Sequence, residues 1–454
     1  MTRDLSSIVK AYDVRGVVPD QLDEGIARDL GAAFARFVGG PAVVTAYDMR
    51  ESSIPLSRAF GDGVRSQGVA VVDAGLGSTD MLYFASGWLE LPGAMFTASH
   101  NPAKYNGIKM CRAGAAPIGQ DSGLADIRDM AAAGVAPAGG AAGLLTSRDL
   151  LAEYAGYLRG LVDLSGSRPL TVVVDAGNGM GGHTVPVVLA DLPLKIIPMY
   201  FELDGNFPNH EANPLEPANI VDLQERVVAE GADIGIAFDG DADRCFIVDE
   251  LGAPVTPSAV TALVATRELA KAGDDPVDRV IIHNLICSKA VPEIVAENGG
   301  TPVRTRVGHS FIKAEMARTG AVFGGEHSAH YYFRDFWRAD TGMLAAMHVL
   351  AALGETGRPL SQLASAYSRY CASGEINSTV DDQTGRLTAV EQHFAGWAGV
   401  TVDHLDGLSV DLGDGSWFNI RASNTEPLLR LNVEGRDDAA MAALRDEALA
   451  VVRG

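Results

Sequence analysis

The 454-residue sequence contains only four cysteines, and no two of them form a CxxC pair. Zinc ribbons and disulfide frameworks need closely spaced cysteines, so Cys111, Cys245, Cys287 and Cys371 are predicted to be reduced, small apolar residues. No apolar run approaches the roughly 18 residues of a membrane span, and no such run follows the first residues. We therefore expect a cytoplasmic protein that does not insert into a membrane.

Positive charge is also scarce, because 36 Lys and Arg face 58 Asp and Glu, for a formal net charge of -22. This balance argues against a nucleic-acid partner or an anionic membrane surface, and any anionic ligand needs a local cluster of cations. No Gly-Lys dipeptide occurs, so the sequence lacks a P-loop and we do not expect ATP as a phosphoryl source. The glycines of 177–182 depart from GxGxxG, which argues against a nicotinamide cofactor.

Hydrophobic residues make up 47% of the chain, which is ordinary for a globular protein but spread over more residues than one core serves. The segments 69–77 and 171–179 repeat an apolar strand, Asp-Ala-Gly and a further glycine, and 279–284 is a looser third strand. The end of the chain has a different pattern, which predicts short antiparallel strands at 408–412, 417–421 and 428–433 and a closing helix. We predict three related α/β domains with mixed sheets, over 1–146, 147–251 and 252–369, and a C-terminal α+β domain over 370–454. The Ala/Gly-rich segment 131–147 is predicted to be a linker.

The segment TASHNP at 97–102 places a hydroxyl in a turn, with His100 beside it and Lys109 ten residues further on. Ser99 could be a covalent nucleophile whose developing charge is met by nearby cations. Alternatively, Ser99 and Asn101 only satisfy backbone groups in the turn, as Ser and Asn next to Pro often do.

The segment DGDADR at 239–244 follows the apolar strand 234–238, so a strand delivers Asp239, Asp241 and Asp243 into one loop. Three alternating carboxylates repel one another unless a hard cation such as Mg²⁺ binds between them. An EF-hand is excluded because Arg244 occupies the position that needs glycine and strands flank the loop. A solvated acidic turn is the remaining alternative.

Two further segments suit ligand recognition. In GEHSAH at 325–330, Glu326, Ser328 and His330 alternate, so an extended loop presents their side chains on one side. A polar row of this kind suits the binding of sugar hydroxyl groups. The alternative is that His327 and His330 are ordinary partly buried histidines. In RASNTEP at 421–427, a guanidinium, hydroxyls and an amide form either a phosphate cradle or a polar hairpin turn.

In this order, YDVRG at 12–16, TASHNP, DGDADR, GEHSAH and RASNTEP resemble the α-D-phosphohexomutase superfamily, most closely its bacterial phosphomannomutase/phosphoglucomutase branch. The resemblance implies that the four domains surround a central cleft. It also implies an isomerase that interconverts hexose 1-phosphate and hexose 6-phosphate, with Mg²⁺ as cofactor and hexose 1,6-bisphosphate as activator and intermediate.

The resemblance assigns roles to particular residues. Ser99 carries a phosphoryl group and binds Mg²⁺ together with Asp239, Asp241 and Asp243. The residues that contact the sugar or its second phosphate are Tyr12, Arg15, Glu326, Ser328, Arg421, Ser423, Asn424 and Thr425. The candidates for charge compensation and proton transfer are His100, Lys109, Arg244, His309 and His330.

Other readings stay open. The position where the family often has a cleft lysine is Ile286, with Lys289 three residues later, so Lys289 either replaces that contact or the contact is missing. His327 and Ala329 also depart from the family's loop, which leaves the choice between mannose and glucose open. A phosphoglucosamine mutase, a metal-dependent phosphatase and a non-catalytic sugar-phosphate sensor are the alternative functions. The sequence sets neither the pathway, nor the phosphorylation state as isolated, nor the oligomeric state.

Overall fold

A computed structural model describes residues 4–273, 275–422 and 428–454. The described chain forms two compact units. The first comprises Met1–Val255 and Ser328–Ser361, and the second comprises Thr256–His327 and Gln362–Gly454. The chain therefore crosses between the units within the GEHSAH segment, between His327 and Ser328.

The first sheet of the first unit mixes parallel and antiparallel strands, in the order β1-β5-β4-β2-β3-β7 with β6 beside β5. Its strands are β1 (Val14–Val17), β2 (Ala42–Tyr47), β3 (Ala70–Leu76), β4 (Gly93–Phe96), β5 (Tyr105–Arg112), β6 (Ala116–Pro117) and β7 (Leu145–Ser147). Its helices are α1 (Glu24–Val38), α2 (Ser53–Ser66), α3 (Thr79–Leu89) and α4 (Leu124–Ala133). Helix α1 buries Ile26, Leu30 and Phe34, which lie four residues apart, and Asp23 caps it by accepting from the Ile26 backbone N–H at 2.7 Å.

The predicted linker 131–147 is wrong at both ends. Helix α4 continues to Ala133, and residues 145–147 form β7, which pairs in parallel with β3. The edge pairing supplies backbone partners that an Ala/Gly-rich composition does not reveal.

The second sheet of the first unit has the order β12-β11-β10-β8-β9. The elements of this region are α5 (Leu151–Leu161), β8 (Leu170–Asp175), α6 (Gly181–Val188), β9 (Leu194–Met199), α7 (Val221–Glu230), β10 (Ile234–Phe238), β11 (Cys245–Asp249) and β12 (Pro254–Val255). Strand β10 is buried along its whole length, pairs in parallel with β8 and runs antiparallel to β11. The loop between β10 and β11 is the DGDADR segment.

The region after β12 supplies elements to both units. Those of the second unit are α8 (Pro257–Lys271), β13 (Val280–Asn284), α9 (Ala290–Glu297), β14 (Thr301–Thr305), α10 (His309–Thr319) and β15 (Phe323–Gly325), and β13 pairs in parallel with β14 and β15. Those of the first unit are the antiparallel strands β16 (Tyr331–Phe333) and β17 (Ala339–Asp340) and helix α11 (Gly342–Gly354). Helix α12 (Leu360–Ser365) contains the next crossing between units.

The C-terminal part of the second unit is an antiparallel sheet in the order β18-β22-β21-β20-β19 with two helices. Its elements are β18 (Cys371–Thr379), α13 (Gln383–Phe394), β19 (Thr401–Asp403), β20 (Leu408–Asp411), β21 (Trp417–Ala422), β22 (Leu428–Gly435) and α14 (Asp438–Arg453). The sheets confirm the predicted α/β and α+β character. Among the described residues, no helix combines the length and apolar character that crossing a bilayer requires.

Candidate active site

Ser99 lies in the loop between β4 and β5 and is 5% exposed. Its backbone has a φ of 50°, a left-handed conformation that is strained for a residue with a side chain. The Ser99 N–H donates to Thr97 Oγ1 at 2.9 Å, and its hydroxyl donates to Asp239 Oδ2 at 2.9 Å. The hydroxyl is thus directed at the acidic loop rather than at the turn's own backbone.

The acidic loop brings its three carboxylates together in a buried position. Asp239, Asp241 and Asp243 are at most 1% exposed, and one ligand atom from each lies within 4.8 Å of the others. Arg244 donates from Nε and Nη2 to Asp239 Oδ2 at 2.9 and 2.8 Å. Burial nevertheless raises the pKa of Asp239 to about 7.

Lys109 extends from β5 to the other two carboxylates. Its Nζ donates to Oδ2 of Asp241 and Oδ2 of Asp243, each at 2.7 Å, and Thr79 Oγ1 donates to Asp241 Oδ2 at 2.6 Å. Burial alone would raise the pKa of Asp241, but the charge and hydrogen bond of Lys109 outweigh it and hold that pKa low. The same carboxylates raise the pKa of Lys109 well above its usual range despite burial, so the amine holds its proton.

The carboxylate atoms that Lys109 leaves free fit a metal ion. Oδ1 of Asp241 and Oδ1 of Asp243 are buried and have no hydrogen-bond partner within the described residues. Lys109 and Arg244 donate to Oδ2 atoms of the three carboxylates and not to these two Oδ1 atoms. Carboxylate oxygens that are buried and accept no hydrogen bond are the donors that Mg²⁺ prefers.

Two imidazoles border this cluster, and their pKa values shift in opposite directions. His100 Nδ1 accepts from Arg244 Nη2 at 2.7 Å, and burial together with Arg244 lowers its pKa well below the usual range. His330 Nδ1 lies 2.8 Å from Asp340 Oδ2 and 4.0 Å from Asp243 Oδ1. Burial acts to lower the pKa of His330, but these two carboxylates outweigh it and raise the pKa.

The N-terminal motif reaches the Ser99 loop through Arg15. This residue lies on β1, and its Nη1 donates to Asn101 Oδ1 at 2.5 Å, two residues beyond the serine. Tyr12 precedes β1 and is half-buried. The first unit therefore gathers Ser99, His100, Lys109, Arg244, His330, Arg15 and the three aspartates within one continuous set of contacts.

In the second unit, Glu326 follows β15 and is 2% exposed. Its Oε2 accepts from Asn284 Nδ2 at 3.1 Å and from the Gly308 backbone N–H at 3.2 Å. His309 is the first residue of α10, directly after that glycine. Ser328, which belongs to the first unit, is half-buried.

Ile286 and Lys289, the two positions considered for the cleft lysine, line different cavities of the second unit. His327 and Ile286 both line a cavity of about 50 Å³. Lys289 lines a separate cavity of about 320 Å³, where its Nζ donates to Asp411 Oδ1 at 2.8 Å. The Lys289 ammonium is therefore paired with Asp411.

Arg421 lies on β21, one residue before Ala422, where this described range stops. Its Nη2 lies 3.4 Å from Glu375 Oε2, and burial lowers its pKa. The predicted phosphate-binding residues Ser423, Asn424 and Thr425 lie outside the described residues.

Four descriptions of the phosphoglucomutase/phosphomannomutase family match the chain. They are alpha/beta/alpha domain I at residues 6–134, domain II at 152–252, domain III at 256–370 and the C-terminal domain at 375–451. The chain is 42% identical over 449 residues to the phosphohexose mutases of Xanthomonas campestris pv. campestris, covering 98% of this chain and 99% of that one. It is 39% identical over 450 residues to the phosphomannomutase of Escherichia coli K12, covering 97% of each.

A solved structure of a phosphoglucomutase/phosphomannomutase family protein from Burkholderia thailandensis matches with a TM-score of 0.87 and 34% identity, covering 98% of each chain. This chain belongs to the phosphoglucomutase/phosphomannomutase family. It is an isomerase of the α-D-phosphohexomutase superfamily, and its predicted fold class is confirmed. The domain boundaries at 146, 251 and 369 and the roles of the individual site residues stay predictions.

The sequence did not predict a group of buried polar residues at the start of α3 that adjoins the acidic loop of this phosphohexomutase. Asp80 is 1% exposed and accepts from Ser78 Oγ, from Tyr154 OH at 2.6 Å and from Thr341 Oγ1 at 2.7 Å. Burial raises its pKa to about 6. The adjacent Thr79 binds Asp241 through its N–H as well as its hydroxyl. The available signal is the run Ser78-Thr79-Asp80 at the start of a helix, and nothing in the sequence connects this run with the acidic loop.

Proposed function

We propose that this phosphohexomutase is a phosphomannomutase that interconverts mannose 1-phosphate and mannose 6-phosphate, with glucose phosphates as the second substrate pair to test. One observation carries the proposal: the Ser99 hydroxyl lies 2.9 Å from Asp239 Oδ2, within a buried carboxylate cluster. The names of two relatives support the sugar class, since they are a phosphomannomutase at 39% identity and phosphohexose mutases at 42%.

In the proposed reaction, phospho-Ser99 donates its phosphoryl group to the free hydroxyl of a hexose monophosphate. The Ser99 Oγ–P bond breaks as the sugar O–P bond forms, and the hydroxyl proton passes to a base on the enzyme. The product, a hexose 1,6-bisphosphate, then returns its other phosphate to Ser99. This second transfer regenerates the phosphoenzyme, so no external phosphoryl donor is consumed.

Fixed charges on the chain suit this transfer. A phosphoserine carries about -1.5 to -2 charges. Arg244, Lys109 and Arg15 supply guanidinium and ammonium groups that offset this charge. When bound by Asp239, Asp241, Asp243 and the phosphorylated Ser99, Mg²⁺ would supply a further positive charge to the transferring group.

We propose His330 as the group that accepts the hydroxyl proton. Lys109 is a poor base because two carboxylates keep it protonated, and His100 is occupied as an acceptor from Arg244. Asp340 binds Nδ1 of His330, which favours the tautomer that leaves Nε2 free to accept a proton. His309 is the remaining candidate.

Substrate recognition is assigned to a second group of residues. Glu326 and Ser328 bind sugar hydroxyl groups, and Tyr12 and Arg15 contribute from the N-terminal motif. The phosphate that is not transferred binds to Arg421, Ser423, Asn424 and Thr425. Since either phosphate must occupy this site in turn, the site has to recognise phosphate without reading its position on the sugar.

The test is phosphorus NMR of the protein with mannose 1-phosphate, Mg²⁺ and a trace of hexose 1,6-bisphosphate. We expect the mannose 6-phosphate resonance to grow without inorganic phosphate. Growth of inorganic phosphate alone would instead identify a phosphatase. Conversion of glucosamine 1-phosphate with none of mannose 1-phosphate would identify a phosphoglucosamine mutase.

A further inference from the structure

Arg50 is a buried arginine to which the proposed mechanism assigns no role. It follows β2 and is 2% exposed. Its Nη2 donates to the carbonyl oxygens of Ser99 and Asn101 at 2.8 and 2.7 Å. Its Nη1 donates to the carbonyl oxygens of Pro102 and Tyr105, each at 3.1 Å. One guanidinium thus binds four carbonyls of the loop that carries Ser99.

The loop needs such a support because its conformation is strained. Ser99 has a left-handed backbone, and strained residues persist only where their surroundings over-determine them. Its carbonyl accepts from Arg50 while its hydroxyl donates to Asp239. On the acidic loop, a Cβ added to Gly240 would lie 2.5 Å from the Ser99 carbonyl oxygen, so the two loops are in close backbone contact.

Arg50 is itself fixed from two sides. On one side is Asp48, which is 1% exposed. Its Oδ2 lies 3.3 Å from Arg50 Nε, and its Oδ1 accepts from the Arg50 backbone N–H at 3.0 Å. The ring of Phe207 covers the guanidinium, with the Arg50 Cζ 5.0 Å from the ring centroid. A Cβ added to Gly205 would lie 2.8 Å from the Arg50 Cα, so the loop that carries Phe207 packs directly against this residue.

We propose that Arg50 is a positioning residue for phosphoryl transfer, which holds the Ser99 loop in the left-handed conformation that aims the Ser99 hydroxyl at the aspartate cluster. This inference rests on the proposed function of Ser99. The planar fork of arginine can bind carbonyls on two edges at once, whereas the single ammonium of lysine cannot span them. The role is therefore specific to the guanidinium rather than to its charge.

The test compares Arg50→Lys with a matched control, Arg159→Lys. Arg159 also donates to several backbone carbonyls in the first unit, those of Val187, Val188 and Ala190, but it does not contact the Ser99 loop. We expect Arg50→Lys to lower kcat by about 10- to 100-fold with KM changed less than about twofold, because misplacing a reacting group slows chemistry more than binding. The single-turnover rate of Ser99 phosphorylation by glucose 1,6-bisphosphate should fall by the same factor. Arg159→Lys should leave both rates within about twofold of wild type.

The wild-type protein is measured first, so that a failure of the proposed function can be distinguished from a failure of the proposed role of Arg50. If wild type forms no phosphoserine, the proposed function fails. If wild type forms phosphoserine but Arg50→Lys behaves like Arg159→Lys, only the role of Arg50 is overturned. If circular dichroism shows that Arg50→Lys does not fold, Phe207→Ala is measured instead, because it removes the ring that covers the Arg50 guanidinium. A loss of about threefold in kcat at constant KM then supports the role of Arg50. An unchanged kcat overturns it.

Discussion

The acidic loop of the first unit and the Glu326 region of the second unit are built in different ways. In the first, three carboxylates meet fixed side-chain cations, with Lys109 Nζ 2.7 Å from two of them and Arg244 on the third. In the second, Glu326 accepts from an amide and a backbone N–H, and Arg421 lies 3.4 Å from the Glu375 carboxylate. We propose that the first arrangement serves the reaction and that the second binds the substrate. We therefore expect substitutions in the acidic loop to lower kcat and substitution of Glu326 to raise KM.

The largest effect should come from Ser99→Ala, which removes the oxygen that we propose carries the phosphoryl group. We expect the kcat of the mutase reaction to fall by more than about 10³-fold, as for loss of a covalent nucleophile. The control is Ser86→Ala, since Ser86 is equally buried but donates its hydroxyl to the Leu91 carbonyl at 2.7 Å. Near-normal turnover of Ser99→Ala in a coupled assay would rule out the phosphoserine mechanism.

Asp241→Asn should have the next largest effect, because it removes a ligand charge while keeping the side chain's shape. We expect kcat to fall by about 100-fold and the Mg²⁺ concentration for half-maximal activity to rise by about 10-fold. A titration with Mg²⁺ measures both. Asp411→Asn in the second unit, which removes the partner of Lys289, is the control and should leave the Mg²⁺ dependence unchanged. Metal dependence that is equally unchanged in Asp241→Asn would refute the proposed metal site.

The two units should also respond to pH in opposite directions. Burial raises the pKa of Asp80 in the first unit to about 6, so its contribution to stability is full below pH 4 and is lost as pH rises through 6. Burial lowers the pKa of His283 in the second unit to about 4, so its contribution is full above pH 6.5 and is lost as pH falls toward 4.

Urea unfolding at pH 4.5 and pH 7 measures both effects through two variants. Relative to wild type, Asp80→Asn should gain about 2 kcal/mol of unfolding free energy between pH 4.5 and pH 7. Relative to wild type, His283→Gln should change by a similar amount in the opposite direction. Parallel pH profiles for wild type and Asp80→Asn would show that this carboxyl is not held in its protonated form.

The smallest effect should come from Glu326→Gln, which weakens one acceptor for a sugar hydroxyl. We expect KM for the hexose phosphate to rise by about 10-fold, with kcat and the Mg²⁺ dependence little changed. Steady-state kinetics at saturating Mg²⁺ measures the split. A fall in kcat at constant KM would place Glu326 with the reacting groups and remove the contrast between the two units.

Periodicity and strand order made much of this protein predictable. Helix α1 follows an apolar stripe, and the three aspartates come together because the buried strand β10 ends directly before them. The partners of these residues were not predictable, because tertiary packing brings them together. Asp80 meets Tyr154 and Thr341 across 74 and 261 residues of sequence, and Arg50 meets the Ser99 carbonyl across 49. No local pattern encodes such pairs.

The central claim is that Ser99 is the residue that carries the phosphoryl group. It is tested most directly by incubating the wild-type protein with glucose 1,6-bisphosphate and Mg²⁺ and locating phosphate by peptide mass spectrometry. We predict phosphate on Ser99, and its loss when excess hexose monophosphate is added. Phosphate on another residue, or a phosphoserine that does not pass to the sugar, would contradict the account.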